Sequence, residues 1–289
     1  GVEYREGGRE IAFASRQGMQ EFMEKETVEF LEVFSGFCEL TFRVSEMGIK
    51  AGEGIDGSVV SYGRCWWLTD ESTVKDFAWL VTRVLRPRAI HAGTPCTHLS
   101  VLGNRDYPES SRQLVDLTIR MAEHQEYRGY LMSIETPKGS LLTKLDEFNK
   151  YFKRRKDDIE LRHAWRFQET DGCQLNYAYP GADDLGRPLM KSQLWISNFD
   201  LSPMELECSG ERDGAVVGCS HQHRHVRGGV KLLSGRWTSL ASFSGRYTPA
   251  LAGMYARCLK VALHRARSRS DAECDQSVKR RPRSRLEKV

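Results

Sequence analysis

The sequence predicts an α/β protein built on a mostly parallel sheet with helices on both faces, and three observations predict it. Strand-like and helix-like segments alternate over residues 28–137. The strand-like runs are short and nearly all apolar, as strands covered on both faces are. Small, polar or acidic residues stand where each run stops, at the edge where open parallel sheets hold ligands.

Taken in order, residues 28–34 are β-branched and aromatic and end at Ser35 and Gly36, which reads as a buried strand entering a tight turn. Phe37, Leu40, Val44 and Met47 share one helical face, and Gly48 suits the end of that helix. Residues 49–55 form a second strand ending at Asp56. Val74, Phe77, Ala78, Val81 and Leu85 give the clearest helix, with Asp70 as N-cap and Pro87 closing it. Residues 88–92 are a short strand, 110–126 an amphipathic helix, and 130–134 a strand running into Glu135, Thr136 and Pro137. Downstream, 142–162 is charged and helical, 174–179 and 193–199 read as strands, and 205–237 is irregular. Residues 248–265 form a helix capped by Thr248 with Pro249 in its first turn. A short helix is also expected around Met19 to Lys25.

The 289 residues are 40% hydrophobic and 28% charged, which excludes a collagen-like or wholly disordered chain. No apolar run approaches the ~18 residues a bilayer span needs, so no membrane partner is expected. The net charge of +4 is unevenly placed: residues 265–289 hold nine Lys or Arg against four Asp or Glu, while the rest, with 34 against 35, carries −1. That tail reads as a disordered basic segment that attracts phosphate or serves as a nuclear-import address, or as a solubilising terminus. Eight cysteines without a CxxC pair fit a reduced, intracellular chain, and the nucleus is the expected compartment.

Gly52, Gly54 and Gly57 spell GxGxxG, but the run follows the second strand, and residues 58–68 make a poor crossover helix. The glycines therefore read as a turn rather than a dinucleotide site. A small-residue turn at Phe34, Ser35 and Gly36, followed by an acid at Glu53 or Asp56, suits an adenosine-bearing ligand instead.

The series Phe34-Ser-Gly36, Asp56, Gly93-Thr-Pro-Cys-Thr-His-Leu-Ser100 and Glu135-Thr-Pro137 resembles the ordered motifs of the C5-cytosine methyltransferases. Residues 188–196 are similar to that family's Pro-Gln-x-Arg-x-Arg strand, and 244–249 to its closing Gly-Asn-x-x-Pro motif, which folds back beside the cofactor turn. The resemblance implies a Rossmann-like S-adenosylmethionine-dependent methyltransferase sheet. It also implies Cys96 as a thiolate adding to C6 of cytosine, with Glu135 holding or protonating N3. Phe34, Ser35, Gly36, Glu53, Asp56, Asp70 and Pro95 become the residues around S-adenosylmethionine, and DNA, or alternatively RNA, becomes the partner.

Several positions depart from the family pattern. Cys38 replaces the second turn glycine, Thr97 the glutamine after the nucleophile, and Thr136-Pro137 the Asn-Val pair, while Lys191 and Gln193 stand for the two arginines. A relative that keeps the sheet but has lost catalysis, and binds nucleic acid through Lys153 to Lys156 and the tail, is the alternative. Residue by residue, Cys96 and Phe34 are equally readable as core, and Glu135, Glu53 and Asp56 as turn acids. The segmentation is 1–27 polar, 28–197 catalytic, 198–240 a reduced recognition insertion, 241–264 a closing helix and 265–289 the tail. In the insertion Cys208, Cys219, His221, His225 and the intervening His223 supply ligands enough for four-coordinate zinc, or else a polar loop.

Overall fold

In the computed structural model the described residues are 2–6, 9–13, 27–95, 108–156, 165–181, 185–208, 223–226, 228–240, 243, 245–273 and 284–288. The central sheet has strands β1 (Phe30–Val33), β2 (Ala89–Gly93), β3 (Leu131–Pro137), β4 (Arg166–Asp171) and β5 (Ser192–Ser197). Their spatial order is β1-β2-β3-β5-β4. β1, β2 and β3 are parallel, and β5 runs antiparallel between β3 and β4. Ala51 and Ile55 extend the sheet beyond β1 through parallel bridges to Phe30 and Val33, so the expected second strand touches β1 at two points.

The helices are α1 (Glu39–Glu46), α2 (Glu71–Trp79), α3 (Glu109–Arg128), α4 (Asp146–Lys156) and α5 (Pro249–Glu273). Alternation of side chains along each strand divides the core in two. Leu31, Val33, Ile90, Ala92, Met132, Ile134 and Ile196 face Phe77, Val115 and Phe148 of α2, α3 and α4. Phe30, Ala89, Leu131 and Trp195 face Leu40 and Val44 of α1 and Leu251, Tyr255 and Leu259 of α5. This is the predicted α/β class, a mixed sheet covered by helices on both sides. No helix among the described residues is long and apolar enough to cross a membrane.

The helix ends follow local chemistry. Asp70 caps α2 by accepting from the Thr73 amide at 2.8 Å, and α2 continues into a π-helical turn at Leu80–Leu85 before Arg86 and Pro87 stop it. Cys38 at the start of α1 gives no side-chain cap. Glu32 of β1 does so instead: its Oε2 accepts from the Thr41 amide at 2.8 Å and the Thr41 hydroxyl at 2.7 Å.

Four expectations need correction. Residues 174–179 are not a strand: Gly172–Leu175 is a 3-10 turn, and β4 precedes it where no strand is expected. Glu135 to Pro137 lie within β3 and pair with β5, rather than following the strand. The helical stretch after residue 141 breaks at Leu145 between a 3-10 turn and α4. The tail is not a uniformly disordered arm, because α5 runs to Glu273 and Leu286 is buried. Arg285 pairs with Asp116 and Glu123 of α3. Burying one leucine gives about 1.5–3 kcal/mol, more than exposed ion pairs supply, so Leu286 is the anchor and the arginine its guide. The expected helix around Met19 to Lys25 lies outside the described residues.

Candidate active site at the carboxyl edge of the sheet

Because β1, β2 and β3 are parallel, their carboxyl ends share one edge, and most of the expected site residues gather there. Phe34, Ser35 and Gly36 turn the chain away from β1. The Gly36 amide donates to Asp56 Oδ2 at 3.0 Å, and the Ser35 amide to the Ile55 carbonyl at 3.2 Å, so the turn and the acid form one unit. Asp56 Oδ1 also accepts from the Ser58 amide and hydroxyl. Phe34 and Cys38 both have φ of 58°, a left-handed conformation that costs a non-glycine residue about 1–2 kcal/mol. Two such residues flanking Gly36 mark the turn as a place where the fold sustains strain.

The glycines after the second strand owe their identity to packing. A Cβ on Gly54 would lie 2.5 Å from Ser35 Oγ and 2.6 Å from Cys38 Sγ; one on Gly52 would lie 2.5 Å from the Tyr62 hydroxyl. Gly57 lies against the Trp67 ring. These contacts are internal, in keeping with a turn. Cys38 Sγ approaches Ser35 Oγ at 3.3 Å, and burial pushes its thiol pKa up. Glu53 is exposed and exchanges hydrogen bonds with Tyr62: its amide donates to the Tyr62 hydroxyl, and its carboxylate accepts from the Tyr62 amide. Asp70 serves its helix, and hydrogen bonds from Ser72 and Thr73 hold its pKa down at about 2.

At the end of β2, Gly93 sits in register with Glu135 of β3. A Cβ there would be 3.2 Å from the Phe34 carbonyl and 3.2 Å from the Tyr247 hydroxyl, so β2 passes close to both the turn after β1 and the segment before α5. Thr94 is buried, with its hydroxyl 3.3 Å from that of Thr118 on α3, and Pro95 is exposed. Cys96 lies outside the described residues, as do Cys219 and His221.

Glu135 is buried at 9% exposure, and both its oxygens are engaged. Gln193 Nε2 donates to Oε1 at 2.8 Å, and the Tyr247 hydroxyl to Oε2 at 3.2 Å. His91 continues the chain inward, with Nε2 at 3.0 Å from the Tyr247 hydroxyl and Nδ1 at 2.9 Å from Ser133 Oγ, which meets the Tyr255 hydroxyl at 2.8 Å. A carboxylate only accepts, so the network orients itself. Tyr247 donates to Glu135 and accepts from His91 Nε2–H, and Nδ1 then accepts from Ser133. The imidazole stays neutral because burial drops its pKa to about 3.

The sequence reading singled out Glu135 but missed Tyr247 and His91, and read Gln193 only as a lost arginine. Glu32, His91, Ser133 and Ser197 are directly paired neighbours, and the strand register, which the sequence alone does not give, draws them into a polar row across a buried sheet. The segment before α5 does fold back to the turn, since the Arg246 guanidinium lies 3.4 Å from the Phe37 ring centroid.

Of the expected zinc ligands, Cys219 and His221 and the side chain of His225 lie outside the described residues, and Cys208 is described. Cys208 Sγ lies 3.3 Å from His223 Nε2, and Cys173, which the sequence reading left out, completes a half-buried cluster whose ligand atoms are all within 4.8 Å of one another.

No protein-family model and no curated protein sequence matches the chain. Among solved structures, a triple mutant of Spodoptera frugiperda DNMT2 is similar at 12% identity and a TM-score of 0.32, over 69% of this chain and 54% of that one. The chain thus spans about half the length of that neighbour. A likeness so distant decides nothing, and the fold assignment rests on the strand order and the two helical layers.

Proposed function

We propose that this protein is an S-adenosylmethionine-dependent methyltransferase acting on C5 of cytosine, with DNA as the nucleic acid and the nucleus as the compartment. One observation carries the reading: at one edge of the sheet Gly36 is bonded to Asp56 at 3.0 Å and Gly93 stands level with Glu135. These residue types fit the cofactor: Gly36, with open space where a Cβ would stand, would admit a ligand to the backbone, and Asp56 and Glu53 would accept from ribose hydroxyls. When bound, S-adenosylmethionine supplies an electrophilic sulfonium methyl.

The chain's own residues do the rest of the chemistry. Cytosine C5 is a weak nucleophile until a group adds at C6, and Cys96, three residues past Gly93, is the thiolate for that addition. Glu135 delivers a proton to N3 as charge builds on the ring, and its remaining lone pairs accept from the exocyclic amine of the base. The C5 proton then passes to solvent, the C6–sulfur bond breaks to release the thiolate, and the N3 proton returns to Glu135, which restores the aromatic ring. A duplex substrate has to turn its base out of the stack.

A second reading, a catalytically silent relative that binds nucleic acid, draws on the same carboxylate, because both oxygens of Glu135 are already hydrogen-bonded. Titration calorimetry with S-adenosylmethionine tests the enzymatic reading. Saturable binding that Asp56→Ala weakens at least about tenfold, some 1.4 kcal/mol, supports it. A folded chain that binds no cofactor removes methyl transfer altogether. RNA and DNA oligonucleotides offered to the loaded protein then identify the substrate.

A further inference from the structure

We propose that Cys173, Cys208 and His223 bind one zinc ion. This site does not depend on the methyltransferase reading. The three residues come from distant parts of the chain and are brought together by backbone pairing that owes nothing to a metal. Cys173 lies in the 3-10 turn that ends β4. The segment carrying Cys208 is bound to the same strand end: the Asp171 amide donates to the Leu206 carbonyl at 2.7 Å, and the Cys208 amide to Asp171 Oδ2 at 2.7 Å. His223 immediately precedes the short strand Arg224–His225, which pairs with Leu189–Met190 just before β5.

The geometry suits the ion. Tetrahedral zinc with bonds of about 2.3 Å to sulfur and 2.0 Å to nitrogen separates those two atoms by roughly 3.5 Å. Cys208 Sγ and His223 Nε2 are 3.3 Å apart, and the Cys173 sulfur is within 4.8 Å of both. All three residues are half-buried, so an ion can enter while its ligands remain partly shielded. Binding releases two thiol protons to solvent, and the two thiolates then balance the ion's double charge around a neutral imidazole. Among the described residues no fourth side chain joins the group, so a water or another donor completes the tetrahedron.

The local packing gives the ion a structural task. The neighbouring core of Tyr177, Tyr179, Leu189, Val230 and Leu240 is a small cluster of five buried side chains, separate from the two cores of the main sheet. A core that small gains from a staple. Zinc would tie the end of β4, the segment around Cys208 and the hairpin of Gly229–Lys231 with Trp237–Ser239 into one unit.

The test uses the full chain, reduced, stripped by a chelator and reloaded with zinc. One equivalent per chain is expected by elemental analysis. Cys173→Ser, Cys208→Ser and His223→Ala should each weaken zinc binding by at least about 100-fold, while Cys65→Ser leaves it unchanged. Should a variant fail to fold, cobalt loaded into the unaltered protein gives an independent answer: thiolate-to-cobalt charge-transfer bands with tetrahedral d–d intensity support the site. Hydrogen exchange adds a third reading, in which zinc slows exchange in 223–240 and leaves β1 to β3 unaffected. Substoichiometric zinc after reloading, cobalt bands without thiolate character, or wild-type affinity in both Cys173→Ser and His223→Ala would overturn the proposal.

Discussion

Gln193 of β5 donates its side-chain amide to Glu135 of β3 at 2.8 Å, across two antiparallel strands that bury both residues. Where the resemblance led one to expect a guanidinium, a neutral amide now orients the carboxylate. The carboxylate only accepts, so the pair is held by this one amide bond. Replacing it with Gln193→Leu leaves Glu135 Oε1 buried without its donor. The expected cost is about 1–3 kcal/mol, read from denaturant unfolding, with a larger fall in turnover than in cofactor affinity. An unchanged unfolding midpoint would show that the carboxylate does not depend on this amide.

Tyr247 links Glu135 to His91, so Tyr247→Phe removes one donor from the carboxylate and one acceptor from the imidazole. A loss of about 1–2 kcal/mol in stability is expected, with the ring packing against Trp195 and His91 preserved. Methyl transfer should fall while calorimetric cofactor binding stays within about twofold, a difference of ~0.4 kcal/mol.

Buried acid and imidazole groups set opposite pH dependences. Burial raises the Glu32 pKa from 4.5 to about 7, despite the bonds from Thr41. The stability this group contributes is therefore complete below about pH 4.5 and is lost as pH rises through 7. His91, lowered to about 3, and His124, lowered to about 4, contribute fully above pH 6.5 and lose that contribution as pH falls. Glu32→Gln keeps an oxygen for Thr41 and removes the titration. Compared with the unaltered chain it should be more stable near about pH 8 and steeper in its acid loss, the difference being on the order of 3 kcal/mol across the window. Parallel stability curves for the two proteins would contradict the assignment.

Gly54→Ala and Gly48→Ala make a matched pair. At Gly54 a methyl would meet Ser35 Oγ at 2.5 Å in the turn after β1, whereas Gly48 has open space and a φ of 77°. Each should destabilise by about 1–3 kcal/mol, one through overpacking and the other through backbone strain. Only Gly54→Ala should weaken S-adenosylmethionine binding. Equal binding by both variants would separate the turn from the cofactor.

How far the sequence alone carried can be read at particular residues. The apolar runs ending at Phe34 and Gly93, the Asp70 cap and the Pro249 helix start were legible, because each is set by local propensity or period. β4 escaped notice because Arg166 to Asp171 is largely polar and is held as a strand by β5 and the bridge to Leu206 rather than by its own composition. Cys173 and His223 are brought beside Cys208 only by such long-range pairing, which composition does not reveal. The clustering of Phe34, Gly36, Asp56 and Glu135 was anticipated, because parallel strands must finish on one side. The His91 relay needed the strand register, which periodicity alone does not give.

Adduct trapping decides whether Cys96 supplies the thiolate of the proposed methyl transfer. The full chain, S-adenosylmethionine and an oligonucleotide carrying 5-fluorocytosine should give a denaturation-resistant complex, because fluorine at C5 cannot leave as the proton does. Cys96→Ser should abolish that complex and Gln193→Leu should reduce it. A covalent complex that survives in Cys96→Ser, or none at all from a protein that demonstrably binds both cofactor and oligonucleotide, would contradict the account.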